Sequence, residues 1–268
     1  MTRDAITARL NARRAEGGAI VLAGVGSGIT AAAAAAGGAD LLATYGTAAY
    51  RMLGVPTALA FLPYDDANVL TLDILPTIVE RAGAVPVIAG LGAHDPRRSI
   101  PRLVEAAAAM GASGVTNEPF VGIYGTALRV ELEAAGYGFG REVALLQAAG
   151  REGLLTLGWA FDDEEVRRLA GAGVDIIGTM AGITGGGAGS AADDMRRLGA
   201  MVETARRERP GAIVLLHGGP LGNPATVGAA LLATGADGYA TGSSAERTPV
   251  FTAVKETVRA FRDLPLRG

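Results

Sequence analysis

Short apolar runs punctuate this chain at regular intervals. Each is followed by glycine or polar residues and then by a stretch with helical periodicity. Eight such runs stand at residues 19–24 (AIVLAG), 40–44 (DLLAT), 86–90 (PVIAG), 114–117 (GVTN), 154–158 (LLTLG), 174–179 (VDIIGT), 212–217 (AIVLLH) and 237–241 (DGYAT). Continuous apolar character, without alternation, predicts parallel strands covered on both faces. The segments leading into several of them share one pattern: AAAGGADLLA, AAMGASGVTN, LAGAGVDIIG and LATGADGYAT. Each reads as a helix end, a glycine C-cap, one or two small residues and a strand. Eight such units in a chain of this length predict an α/β fold of the (β/α)8 TIM-barrel type. The main competitor, a doubly wound open sheet, rarely carries eight regular units. No interdomain linker is visible, so residues 1–268 read as a single domain with the barrel core at about 19–262.

Three connections after strands are too long to be simple turns: 45 to about 68 after strand 2, 118 to about 139 after strand 4, and the glycine-rich 180–192 (MAGITGGGAGSAA) after strand 6. Long loops within a compact domain usually bind or cover something. All three fall on the C-terminal face of the barrel, where barrel active sites are built.

Composition narrows the chemistry. There is no cysteine, which removes disulfides, thiolate nucleophiles and zinc–cysteine sites. Two histidines, His94 and His217, cannot make a three-histidine metal site. The single lysine, Lys255, falls in the helical stretch TAVKETVRAF after strand 8 and reads as outer surface, so Schiff-base chemistry is poorly supported. With a net charge of −3 and no basic stripe interleaved with aromatics, nucleic acid is not an expected partner. The apolar stretch 19–25 is too short to span a membrane, and residues 1–18 show no apolar signal region, so a cytoplasmic location is expected.

The residues just past each strand are the candidates for function. Strand 1 ends in GVGSG, a weak match to a dinucleotide loop and more plainly a tight backbone turn. Strand 7 ends in His217-Gly218-Gly219-Pro220, and strand 8 in Gly242-Ser243-Ser244 followed by Glu246 and Arg247. The loops after strands 7 and 8 of such barrels often hold phosphate, with glycines admitting the anion and amides and hydroxyls donating to it. The plainer alternative is tight turns and a helix N-cap at Ser243 or Ser244. His217, at a strand terminus, suits general acid–base work; His94, in the strand 3 loop, suits it less. After strand 2, Arg51 can grip a carboxylate or phosphate in two-pronged fashion. Asp65 and Asp66 either share a proton or a divalent ion such as magnesium, or cap the helix that starts near Val69. After strand 4, Asn117 and Glu118 can face the mouth as donor and base.

These residues sit within segments that together resemble the phosphoenolpyruvate hydrolase-like family of barrels, described also as predicted TIM-barrel signal-transduction proteins. The segments are GGADLLATYGTAAYRMLG, LPYDDANVL, PVIAGLGAHDP, GVTNEPFVGIYGTALRVELEAAGYGFGREV, LLHGGPLGNP and DGYATGSSAERTPV, in order over nearly the whole chain. The resemblance implies hydrolysis or cleavage of a small enolpyruvyl or phosphonopyruvyl compound, and kinship in fold with phosphoenolpyruvate mutase and isocitrate lyase barrels. Carried over by position, it implies a site of Arg51, Asp66, Asn68, Asn117, His217, Gly218, Gly219, Ser243, Ser244, Glu246 and Arg247. The chain departs from the family pattern at several places. Members usually carry cysteine in the strand 3 loop and before the strand 7 histidine, where this chain has AGLGAHDP and Leu216; Asp65 replaces a typical glycine, and Glu118 a common aromatic. Any chemistry here therefore proceeds without a thiol.

The leading expectation is an enzyme acting on a small anionic oxo-acid or a phospho- or phosphono-compound through an enolate. Arg51 and the strand 7 and 8 loops would hold the anion. His217, Asp66, Glu118 or Glu246 would serve as acid or base, with backbone amides or a divalent ion at Asp66 stabilising the developing charge. The alternatives are a non-catalytic barrel that senses a metabolite or binds a partner, and a biosynthetic aldolase or isomerase. A homo-oligomer is expected because related barrels commonly assemble.

Overall fold

The computed structural model describes residues 1–183 and 190–265, and within them eight parallel strands close into a barrel. They are β1 (Ile20–Gly24), β2 (Leu41–Thr44), β3 (Val87–Gly90), β4 (Gly114–Thr116), β5 (Leu155–Ala160), β6 (Ile176–Met180), β7 (Ile213–His217) and β8 (Gly238–Thr241). Each pairs with its sequence neighbours, and β1 closes on β8 with Ile20 opposite Gly238 and Ala23 opposite Thr241. The helices in chain order are α1 (Arg3–Ala15), α2 (Gly28–Ala36), α3 (Gly46–Met52), α4 (Ala67–Ala82), α5 (Ile100–Ala109), α6 (Thr126–Ala134), α7 (Phe139–Arg151), α8 (Asp163–Gly171), α9 (Ala191–Glu208), α10 (Pro224–Thr234) and α11 (Arg247–Arg262).

The strands are apolar on both faces because both faces are buried. Inward side chains, among them Leu22, Leu41, Ile88, Leu155, Ile176 and Leu215, form one cluster inside the barrel. Outward ones such as Leu42, Val87, Val115, Ile177 and Val214 pack under the helices in two further clusters. Each Leu or Ile so buried contributes about 1.5–3 kcal/mol relative to exposure. The amphipathic N-terminus, which matches none of the eight units, forms α1; its Ile6 and Leu10 are fully buried and join the inner cluster beside Ile20, closing the lower end.

The long connections are not structureless. The one after β2 contains α3 and a 3-10 turn at Thr57–Phe61; α4 then starts at Ala67 because Asp66 caps it, accepting from the amides of Asn68 and Val69. The one after β4 contains a 3-10 turn at Val121–Ile123 and then α6. Of the glycine-rich 180–192 loop, residues 184–189 lie outside the described residues. The helix after β8 differs from the others: α11 buries none of its residues, and Phe251 and Phe261 are 68% and 70% exposed.

Candidate active site

Alternation along the strands decides what faces the barrel mouth. At the upper end of the inner cluster, the last inward positions are Gly24, Tyr45, Gly90, Glu118, Trp159, Met180, His217 and Gly242, one from each strand end in order. Tyr45 fills the room that two glycines leave: a Cβ on Gly24 would stand 2.0 Å from its hydroxyl, and one on Gly90 2.4 Å from its Cβ. On the other side, Gly242 opens space beside His217 and Arg51, whose nearest atoms would lie 3.4 and 3.8 Å from an added Cβ. The result is a cavity of about 50 Å³ whose polar wall includes Arg51, Glu118, His217, Thr47 and Ser243, and whose opposite wall is apolar, with Phe61, Phe120, Trp159 and Met180.

Arg51, on α3, is 4% exposed and held from two sides. Its Nε donates to Glu246 Oε2 at 2.8 Å and its Nη2 to the Gly24 carbonyl at 3.0 Å. Burial works against the guanidinium charge, but Tyr45 and Glu246 more than offset it, and its pKa stands above the ordinary arginine value. Glu246 is itself held: its Oε1 also accepts from the Gly26 amide at 2.6 Å and the Thr30 hydroxyl at 2.7 Å. No hydrogen bond to a described residue occupies Arg51 Nη1, and Arg51 lines the cavity, with Nη1 3.8 Å from where a Cβ on Gly242 would stand.

His217 ends β7 with its ring between Trp159 and Tyr239, at centroid distances of 5.5 and 6.3 Å. Its Nδ1 lies 2.6 Å from the Ala240 carbonyl, which can only accept, so Nδ1 carries the proton and Nε2 presents a lone pair. Burial pushes its pKa below the usual histidine value, and the nearby Arg51 charge acts in the same direction. Burial and the Arg51 charge thus both favour the neutral imidazole, against the opposing hydrogen bond to Ala240.

Glu118 follows β4 and is 3% exposed. Both carboxyl oxygens are buried without a hydrogen-bond partner among the described residues. Burial raises its pKa to about 7; Thr47 and the Arg51 charge pull it down, though Thr47 does not reach hydrogen-bond geometry. An uncommitted, buried carboxyl of raised pKa at the barrel mouth is a group placed to exchange a proton.

The other sequence candidates sit elsewhere. Asp66 does not enter the cavity; its two oxygens are taken up by the helix cap and by Arg97 and Arg98, which makes it a structural cap on the rim. Asn68 ties α4 to the loop after β3, exchanging hydrogen bonds with Gly92 and donating to Asp95. Asn117 points outward, donating to Glu142 and the Trp159 carbonyl and accepting from the Trp159 amide, so it pins β4 to β5. Glu246 anchors Arg51, with no free carboxylate oxygen to act as base. Arg247 donates to the Val55 carbonyl at 3.1 Å, away from the cavity. Gly218 and Gly219 turn the chain at φ 84° and 54°, and a Cβ on Gly218 would fall 1.8 Å from the Gly182 carbonyl oxygen. Ser243 and Ser244 do not cap α11, whose N-cap is Glu246 with no side-chain cap bond. Ser243 lines the cavity, and neither serine amide donates to a described backbone carbonyl. Tyr45, Thr47 and Trp159 were not among the candidates. The inward phase of the strand ends was the signal that could have found Tyr45 and Trp159.

Replacing Asp66 by Ala should remove a helix cap worth about 1 kcal/mol and lower Tm by roughly 2–4 °C. Ligand affinity at the cavity should stay unchanged, since Asp66 does not line it. Calorimetric melting and ligand titration of the variant check both halves.

The tomato proteins ToMV resistance protein Tm-1(GCR237) and ToMV susceptible protein tm-1(GCR26) are each 35% identical over 271 residues, covering 98% of this chain. This chain spans just over a third (36%) of the length of these relatives. Among solved structures, a phosphonopyruvate hydrolase complexed with oxalate and Mg²⁺ matches with a TM-score of 0.65 at 18% identity, covering 98% of this chain and 88% of that one. At that identity the likeness is one of fold. The phosphoenolpyruvate hydrolase-like family model matches residues 5–264, and this chain belongs to that family.

Proposed function

We propose that the barrel is an enzyme that cleaves or hydrolyses a small oxo-acid through an enolate, with the reaction in the cavity at the mouth. The observation that carries this is the convergence on one pocket of a pre-set arginine donor, a histidine with a free Nε2, and a buried carboxyl of raised pKa. In this reading Arg51 Nη1 binds the substrate carboxylate and stabilises the developing oxyanion, aided by the Ser243 amide. His217 Nε2 takes a proton from the substrate hydroxyl or the attacking water. Protonated Glu118 delivers one to the enolate carbon. Two titratable groups whose environments set different protonation states divide the acid and base roles.

A divalent ion is the cofactor the fold suggests. Among the described residues no three His, Cys, Asp or Glu side chains converge. Asp66 has both oxygens committed, which leaves Glu118 as the one carboxyl on the cavity wall among the described residues. These residues do not fit a divalent centre, and the steps above use none.

The pH profile tests the assignment. Activity should rise as pH climbs through the lowered His217 value, because the base must be neutral. It should fall as pH passes about 7, because Glu118 must keep its proton. Turnover of a panel of oxo-acids between pH 5 and pH 9 should therefore peak on the mildly acidic side. Activity that climbs steadily through pH 8 would remove Glu118 as the acid, and binding without turnover of any panel member would remove the enzyme reading.

A further inference from the structure

We infer that the ligand of this cavity is a 2-oxo monocarboxylate with an apolar arm, and not a phosphorylated or dicarboxylate compound. This rests on reading the cavity as the binding site. The argument is one of charge and surface. Arg51 is the one cationic side chain on the cavity wall among the described residues, and its charge already faces the buried carboxylate of Glu246 at 2.8 Å. Glu118 adds a second carboxyl to the same wall with no partner of its own. The formal charge around the cavity is thus zero or negative before any ligand enters.

Other charges do not change that balance. Residues 184–189, outside the described residues, read TGGGAG and carry no charged side chain. Arg247 is turned to the Val55 carbonyl, and Arg97 and Arg98 to Asp66. A phosphoenol compound brings two or three negative charges into this partly buried pocket, and each would need its own counter-charge or donor set. One guanidinium edge and a few amides match one carboxylate.

Apart from Arg51, Glu118, His217 and the hydroxyls of Tyr45, Thr47, Thr57 and Ser243, the wall is apolar. Phe61, Phe120 and Ile123 descend from the loops after β2 and β4, and Met180 and Ile183 from the end of β6. Phe120 packs against Phe61 at 5.5 Å and against Phe161 at 4.9 Å, and the Tyr124 hydroxyl donates to the Phe61 carbonyl at 2.8 Å. These contacts fix the apolar roof in place. A surface of this kind rewards a methyl or branched alkyl group at roughly 0.8 kcal/mol per buried CH₂ and penalises a second anion.

Trp159, the chain's one tryptophan, lines the cavity and reports occupancy by its fluorescence. The purified protein is titrated with 3-methyl-2-oxobutanoate, phosphoenolpyruvate and oxalate, each with and without Mg²⁺, and the Kd values are checked by calorimetry. The expected result is binding of 3-methyl-2-oxobutanoate at least tenfold tighter than either polyanion. Phosphoenolpyruvate or oxalate binding as tightly or tighter, in either metal condition, overturns the inference and leaves the proposed reaction standing. No detectable binding of the monocarboxylate also overturns it. Tight monocarboxylate binding with no turnover of any oxo-acid supports the inference and sinks the enzymatic reading instead.

Discussion

Replacing Glu118 by Gln should lower turnover by about 10²–10⁴-fold, the range that one positioned general acid or base supplies. Gln keeps the shape and removes the transferable proton. The carboxyl it replaces makes no hydrogen bond to a described residue, so no network is broken by the change. Stability should hold or rise, because a buried group that ionises near neutral pH is being removed. The informative readout is the pH profile of the residual activity: the fall above about pH 7 should disappear with the group that causes it. A variant that retains its turnover within a few-fold would show that the proton comes from elsewhere.

The second large effect is on the Arg51–Glu246 pair. Arg51→Met keeps most of the side-chain volume but leaves Glu246, 1% exposed, as an uncompensated buried charge. Breaking one side of such a pair costs about 3–5 kcal/mol, or roughly 10 °C in Tm for a domain of this size. Adding Glu246→Gln should recover a substantial part of the loss, because the amide still accepts from the Gly26 amide or the Thr30 hydroxyl without carrying charge. Ligand binding should be lost in both variants, since neither has the Nη1 donor. A single variant as stable as the parent would mean that the pair does not anchor α3 and α2 to the end of β8.

The same pair shows where sequence reading stops. Arg51 and Glu246 were both recognisable as polar residues beyond strand ends, but they are 195 positions apart. Which of them faces the cavity and which is used up holding the other depends on how β1, β2 and β8 meet when the barrel closes. Asn117 and Asp66 teach the same lesson. Asn117 is one residue past β4 and so points outward to Glu142, while Glu118, one residue further, points in. Asp66 has the residue type of a metal ligand, but its position before Ala67 makes it a helix cap first.

Sequence by itself determined the architecture. Eight doubly buried strands must be apolar throughout, and each of the eight runs matches an observed strand to within a residue or two because local pattern and burial demand the same thing. It also determined that no thiol and no strand-borne lysine is available, and that His217 stands at the end of β7. Only the tertiary structure decided which polar side chains are free. Closure of the barrel set the inward phase of every strand end. It supplied acceptors and donors to Glu246, Asn68 and Asn117, and left Glu118, His217 Nε2 and Arg51 Nη1 without any among the described residues. Hydrogen-bond satisfaction is a property of neighbours in space, and no local pattern along the chain encodes it.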